Sequence, residues 1–394
     1  MIRRLLGALS AVLLIAVVIF FVKGADLTDR SMNKVTVNGP YQARPAAESL
    51  LRTLQVVDLH ADALLWPRDL LDRHDYGHVD LPRLQQGQVA LQVFSVVTKT
   101  PRGINYERNT DETDNITILA LAERYPMRAW FSLRERAQWQ AARLRDAVAR
   151  SRTGKDGTPG LALIRSRRDL DELLASRAAH NTVGALLATE GLHPLEGRIA
   201  NLDTLVAAGF RMFGLTHFFD NEIGGSAHGV EKSGLTPFGR QVVARLDSLG
   251  MIIDLAHASS TVFDEVLALG RRPVVVSHGG VQGTCKGPRN LSDDQLRRLA
   301  AKGGMLGIGY WDGAICDPTA AAFAKAVVYA VGVAGDDHVG LGSDFDGSTV
   351  TPFDASAMGL VVQALQDAGL SDVTIGKVMG GNAIRLLREL LPPH

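Results

Sequence analysis

The feature that most constrains this chain is a recurring alternation of short, continuous apolar runs with amphipathic helical stretches. The runs are VVDL (56–59), VALQVFSVV (89–97), VGALLAT (183–189), FRMFGLT (210–216), MIIDLA (251–256), PVVVS (273–277), MLGIGY (305–310) and HVGLGS (338–343). Runs this uniformly apolar suit parallel strands covered on both faces, whereas half-solvated strands alternate apolar with polar residues. Between them, residues 235–249 open with Thr-Pro and stop at Gly250, and residues 292–302 open with Ser and two acids and stop before Gly303 and Gly304. Those are helix start and stop signals. Eight strands alternating with helices predict an α/β protein, a (β/α)8 TIM-type barrel, with a doubly wound open sheet as the alternative. Residues 112–180, helical and charged, read as an insertion between the second and third strands.

Ionisable residues fall where the apolar runs end. His60 and Asp62 close the first, Glu190 the third, His217 the fourth, His257 the fifth, His278 the sixth and Asp344 the eighth. In a parallel barrel these ends share one face, where barrel enzymes assemble their sites. One histidine at a strand end is more often a hydrogen-bonded rim residue than a ligand. Seven coincident placements are different, because packing does not ask for four histidines and three carboxylates together, and they need a cation to neutralise them. Alternation along a strand turns His60 and Asp62 to the same side. Imidazole and carboxylate without thiolate suit zinc, with manganese, cobalt or iron also compatible. Five such donors exceed what one tetrahedral catalytic ion needs and fit two ions roughly 3.5–4 Å apart that share a hydroxide.

These residues lie in motifs that resemble the membrane (renal) dipeptidase family of the amidohydrolase superfamily, over about residues 50–390. DLHAD (58–62), TEG (189–191), GLTHFFDN (214–221), DLAHAS (254–259), VVSHGG (275–280), PRNLSDDQL (288–296), GLGSDFDG (340–347) and GGNAIRLL (380–387) carry the resemblance. It implies a zinc-dependent dipeptidase with two Zn2+ per chain. His60 and Asp62 would bind one ion, His257 and His278 the other, and Glu190 would bridge them. Asp344 would be the general acid/base and His217 would polarise the scissile carbonyl. Arg289, with Asn290 beside it, would hold the substrate's terminal carboxylate. A departure follows His278, where Gly279 and Gly280 open a glycine-rich loop, VQGTCKGPRN, expected to widen or reshape the pocket beside Arg289. Two other readings remain. A lactonase- or phosphotriesterase-type amidohydrolase would open with H-x-H and bridge through a modified lysine, unlike Asp62 and Glu190. A non-catalytic membrane-anchored binding protein would have lost a ligand.

The N-terminus is the one stretch without a globular pattern. Arg3 and Arg4 precede an uncharged apolar run from Leu5 to Val22, closed by Lys23. Its 18 residues exceed a signal-peptide core of about 7–15 and approach the ~20 of a spanning helix, so size favours an uncleaved anchor over a removed signal. The charges before it place the body outside the cytoplasm, periplasmic or extracellular, and secreted if the segment is cleaved. The expected organisation is therefore an anchor or signal over 1–23, a tether over 24–45 and a hydrolase domain over 46–394. Forty-two basic residues balance 42 acidic ones, which gives no compositional case for a nucleic-acid partner. The expected partners are a small amide substrate and the membrane, with a homodimer left open. Cys285 and Cys316 are too few for a disulfide framework; one bridge and two separate thiols are equal readings. His74, His78, His180, His193 and His228 lack ligand spacing and read as surface or capping residues, although His228 lies in the glycine-rich loop after His217. Asp336 and Asp337 read as a solvated turn at the far face of the barrel.

Overall fold

The computed structural model describes residues 2–153, 160–177 and 179–394. Its centre is a closed parallel barrel of eight strands: β1 (Val56–Ala61), β2 (Val89–Val97), β3 (Val183–Glu190), β4 (Phe210–Gly214), β5 (Ile252–Asp254), β6 (Val275–Gly279), β7 (Met305–Ile308) and β8 (Val339–Leu341). Each of the eight pairs with the next in this order, and two of the pairings close the barrel. β8 returns to β1 through Leu341 and Asp58, and β2 pairs directly with β3 from Leu91–Gly184 to Val97–Glu190. All eight apolar runs are strands, trimmed or extended by up to a few residues. The chain is a (β/α)8 barrel, and the open-sheet alternative falls with the closure.

The helices follow the capping chemistry. In chain order those used below are α1 (Ile2–Ile19), α2 (Ala25–Met32), α3 (Asn115–Ala122), α4 (Leu133–Arg150), α5 (Pro237–Ser248), α6 (Asp293–Ala301) and α7 (Asn382–Leu390). Thr236 caps α5, with Pro237 at its first position, and Ser292 and Gln295 form a reciprocal capping box on α6. Val57, Val93, Leu186, Met212, Ile252 and Met305 come from six different strands yet form one apolar cluster, so they fill the barrel interior. Leu387 and Leu390 of α7 join that cluster and close the end opposite the site. Lys377 pairs with both Asp336 and Asp337 at that end, at 3.0 and 2.9 Å.

Residues 112–180 are more than an insertion. α4 is fixed to the barrel, where Gln140 donates to the Val97 carbonyl at 2.7 Å and Arg143 donates to the carbonyls of Leu64 and Arg68 at 2.8 and 3.2 Å. The strand Leu161–Leu163 then pairs with the outer edge of β3. The 24–45 segment differs from a tether. α2 packs on the barrel, and Lys34–Val35 pairs with Val350–Thr351. Asp29 of α2 is fully buried against Arg68 at 2.7 Å, a long-range ion pair that no local periodicity announces. α1 continues through a short π-helical turn into α2, giving a helix from Ile2 to Met32 long and apolar enough to cross a membrane, with its most apolar stretch unburied. Such a helix is compatible with either a signal or an anchor.

Candidate metal centre and active site

The strand ends converge on one buried cluster. Glu190, the last residue of β3, sits at its centre: its Oε1 lies 3.0 Å from His257 Nε2, 3.4 Å from His278 Nε2 and 3.5 Å from His60 Nε2. Its Oε2 lies 3.3 Å from His217 Nε2. Asp62 Oδ2 approaches His60 Nε2 at 3.5 Å, and Asp344 Oδ1 approaches the same nitrogen at 3.9 Å. Three overlapping groups result, each compact enough for an ion: His60, Asp62 and Glu190; His60, His278 and Asp344; Glu190, His217 and His257. All seven strand-end residues expected from the sequence are thus brought together.

Local structure aims these side chains. Asp58 accepts from the Ser343 backbone N–H at 2.8 Å and Ser343 Oγ donates to the His60 carbonyl at 2.8 Å, tying β1 to the segment that presents Asp344. Asp254 accepts from the backbone N–H groups of Ala256 and Ser277 at 3.0 and 2.8 Å, tying the His257 and His278 strands. Ser277 Oγ lies 2.8 Å from His278 Nδ1. With Nδ1 protonated and donating to that oxygen, the Nε2 lone pair faces Glu190. His257 and Asp344 both adopt left-handed backbone conformations, φ 61° and 57°. Such conformations are costly for side chains other than glycine and concentrate at functional sites. Gly191 is required directly after Glu190, since its φ is 82° and a Cβ there would lie 2.4 Å from the His193 ring.

The electrostatics ask for a cation. Burial pushes the Asp62, Glu190 and Asp344 carboxyls above the ordinary carboxylate range. Burial likewise pushes His217, His257 and His278 well below the usual imidazole value, so they are neutral. Among the described residues His60 Nε2 and Asp62 Oδ1 are buried without a hydrogen-bond partner, and His257 Nε2 and His278 Nε2 face each other at 3.1 Å. Orphaned acceptors and opposed imidazole lone pairs in a water-poor cluster fit divalent metal binding in both donor type and placement.

Arg289 borders the same cavity. Its Nη2 donates to the His278 carbonyl at 3.2 Å, its guanidinium lies 4.9 Å from the Trp311 ring centre, and among the described residues it forms no ion pair. Asn290 departs from the substrate contact expected of it. Its Nδ2 donates to the carbonyls of Cys285, Gly313 and Ala314, so it staples two loops behind Arg289. The structure also joins Cys285 to Cys316 as a disulfide across those loops. After His278 a Cβ on Gly280 would lie 2.0 Å from the Ala314 carbonyl oxygen, so this glycine admits a neighbouring backbone.

Three of the histidines read as surface or capping residues are buried. His78 and His228 have no exposure, and His193, 7% exposed, stacks on Phe219. His228 packs 5.3 Å from the His257 ring, with Nδ1 at 2.8 Å from the Tyr106 carbonyl. His78 belongs to a network that sequence reasoning missed. Arg68 bridges Asp29 and Asp346 at 2.7 and 2.8 Å, and Asp346 accepts from the His78 and Val79 backbone N–H groups at 2.8 and 3.1 Å. Burial alone would raise the Asp346 carboxyl, but Arg68 and His78 outweigh it and hold the group well below its ordinary value. Asp346 lies two residues beyond Asp344, inside the GSDFDG stretch, which was the one signal for it in the sequence.

Comparison with known proteins follows this geometry. The sequence profile of the membrane dipeptidase family, peptidase family M19, matches residues 44–391. The dipeptidase aclJ of Aspergillus oryzae is 29% identical over 370 residues, spanning 87% of this chain and 80% of that protein. The dipeptidase verJ of Clonostachys rogersoniana is 28% identical, spanning 86% and 85%. Among solved structures, the probable dipeptidase PvdM of Pseudomonas aeruginosa superposes with a TM-score of 0.69 at 21% identity, covering 88% of this chain and 98% of that one. A Rhodobacter sphaeroides metallopeptidase, solved with a phosphinate mimic of the dipeptide L-Ala-D-Ala, gives 0.67 at 23%, covering 86% and 99%.

Proposed function

Because the chain belongs to the membrane dipeptidase family, peptidase family M19, and is thereby a metal-dependent hydrolase, we propose that it cleaves dipeptides with two zinc ions. His60 and Asp62 would hold one, His257 and His278 would hold the other, and Glu190 would serve both. The observation that carries this reading is the position of the Glu190 Oε1 atom, 3.0–3.5 Å from the Nε2 atoms of three histidines at three strand ends. The metals, when bound, supply Lewis acidity and bring the attacking water's pKa toward neutrality.

The remaining steps belong to the chain's own side chains. Arg289, a guanidinium without a carboxylate partner among the described residues, binds the substrate's terminal carboxylate as a fork. His217, neutral through burial, presents Nε2–H to the scissile carbonyl oxygen as negative charge builds there. Asp344 accepts a proton from the attacking water and returns it to the departing amine as the C–N bond breaks, leaving two amino acids. Asn290 positions Arg289 through the loop staple. In this reading Ile2–Ile19 anchors the barrel outside the cytoplasm, a placement supported by the Cys285–Cys316 bridge, since disulfides persist in oxidising compartments.

The test uses the full chain in detergent, with metal content and turnover of matched L,L and L,D dipeptides measured together. About two zinc equivalents per chain are expected, with activity lost on chelation and restored by zinc. His217→Ala retains both equivalents while kcat falls by about a hundredfold or more, the scale for losing one oxyanion donor; loss of an ion would instead make His217 a ligand. Turnover that survives both chelation and Glu190→Ala would sink the proposal.

A further inference from the structure

The cavity that holds the cluster is larger than a small dipeptide requires. It encloses about 630 Å³ and runs without interruption from Asp62, Glu190 and Asp344 to Phe20, Ala25 and Leu119. A volume of this order suits a drug-sized ligand. Its far end is a separate apolar cluster, in which Leu65, Trp66, Val97, Ile116 and Leu119 pack together with Ala25 of α2. Three polar groups there already have partners. Thr28 Oγ1 donates to the Gly24 carbonyl at 2.8 Å, Asn115 Nδ2 donates to the Pro101 carbonyl at 3.1 Å, and Trp66 Nε1 donates to the Asp346 carbonyl at 2.6 Å. Most of what faces the space at this end is hydrocarbon, which water occupies poorly and an apolar group occupies well.

One wall of this annex comes from outside the barrel. Phe20, Ala25, Thr28 and Met32 belong to the N-terminal helical segment. That segment is fixed to the loop bearing Asp344 by the Asp29–Arg68–Asp346 ion pairs and by the Ser348 N–H donating to Asn33 Oδ1 at 2.9 Å. Wall and reaction centre are therefore held in one register.

Building on the hydrolase reading above, we propose that the site selects amphiphilic dipeptides, whose polar end lies at the cluster and whose long aliphatic or aromatic side chain fills the annex walled by residues 20–32. The occupant follows from continuity, since one cavity joins Glu190 to this apolar space.

The experiment compares alanyl-alanine with 2-aminodecanoyl-alanine and alanyl-2-aminodecanoic acid, using the zinc-loaded full chain, Ala25→Phe, and Ile118→Trp. Ile118 lines the cavity and is 42% exposed, so its replacement does not depend on repacking a core. One long dipeptide should exceed alanyl-alanine in kcat/KM by about tenfold or more, a modest share of what burying several methylenes supplies. Both variants should reduce that preference by about fivefold while alanyl-alanine changes by less than about twofold, because filling the annex removes only binding of the added chain. Long dipeptides no better than alanyl-alanine, or a preference untouched in both variants, would overturn the proposal. Should no dipeptide be hydrolysed, the hydrolase reading fails separately, and calorimetric binding of 2-aminodecanoyl-alanine reads the annex directly. Weaker binding in both variants then supports it, and unchanged binding overturns it.

Discussion

Ser277 shows how one side chain can govern a neighbour, His278, that the proposed function makes a zinc ligand. Its Oγ lies 2.8 Å from His278 Nδ1, and in the proposed metal centre Nδ1–H donates to that oxygen and leaves the Nε2 lone pair for the ion. Ser277→Ala should lower zinc affinity about 10–100-fold, the usual range for losing a partner of this kind, as measured by competition with a chromogenic chelator. His193 makes a different prediction. Burial, with Lys99 adding to it, pushes its imidazole down to about 3, so the folded chain keeps it neutral where the unfolded chain protonates it. The stability it contributes is complete above the unfolded value near 6.5 and drains away as pH falls toward the folded one, at up to about 1.4 kcal/mol per pH unit. His193→Phe should flatten the acid limb of a urea-unfolding series by up to one proton; an unaltered slope would remove His193 as its source. The strand-end donors were legible because an apolar run that closes on His, Asp or Glu carries a polar group toward the interior, where packing alone has no use for it. His193, His78 and His228 were not, because burial of a loop histidine depends on which distant segment covers it.

Whole elements were easier to read than their attachments. Periodicity located all eight strands, and capping residues located α5 and α6, because each signal is complete within about a dozen residues. α2 escaped this reading because it is held by partners far along the chain: Asp29 meets Arg68, and Arg68 meets Asp346. Arg68→Met leaves two buried carboxylates without their counter-charge and should destabilise the chain by about 3–5 kcal/mol in denaturant titration. The double change Arg68→Met with Asp29→Asn should recover part of that loss, since it removes one stranded charge; no recovery would mean that the two ends do not act as a pair. Asn290 teaches a similar lesson, because its place beside Arg289 in sequence said nothing of the three carbonyls that claim its amide.

For the molecule as a whole, the Cys285–Cys316 bridge closes a 31-residue separation between the loops that flank Arg289. Loop-closure entropy for that length corresponds to about 3–4 kcal/mol. Cys316→Ser, or reduction of the native chain, should lower unfolding stability by roughly this amount and raise KM more than it lowers kcat, because Arg289 is loosened and the metal cluster is not. A second molecule-wide consequence concerns the order of synthesis. The hydrogen bond from Ser348 to Asn33 joins residues 315 positions apart. At about 5–20 residues per second, roughly 15–60 s of translation separate the appearance of these two partners. Throughout that interval the segment after the apolar helix has emerged, and Arg68 soon after it, while its pairing strand and Asp346 do not yet exist, so the Asp29–Arg68–Asp346 network stays incomplete. The active-site wall is thus among the first parts of the chain to be made and among the last to be set in place, which makes its docking a late checkpoint on the nascent enzyme.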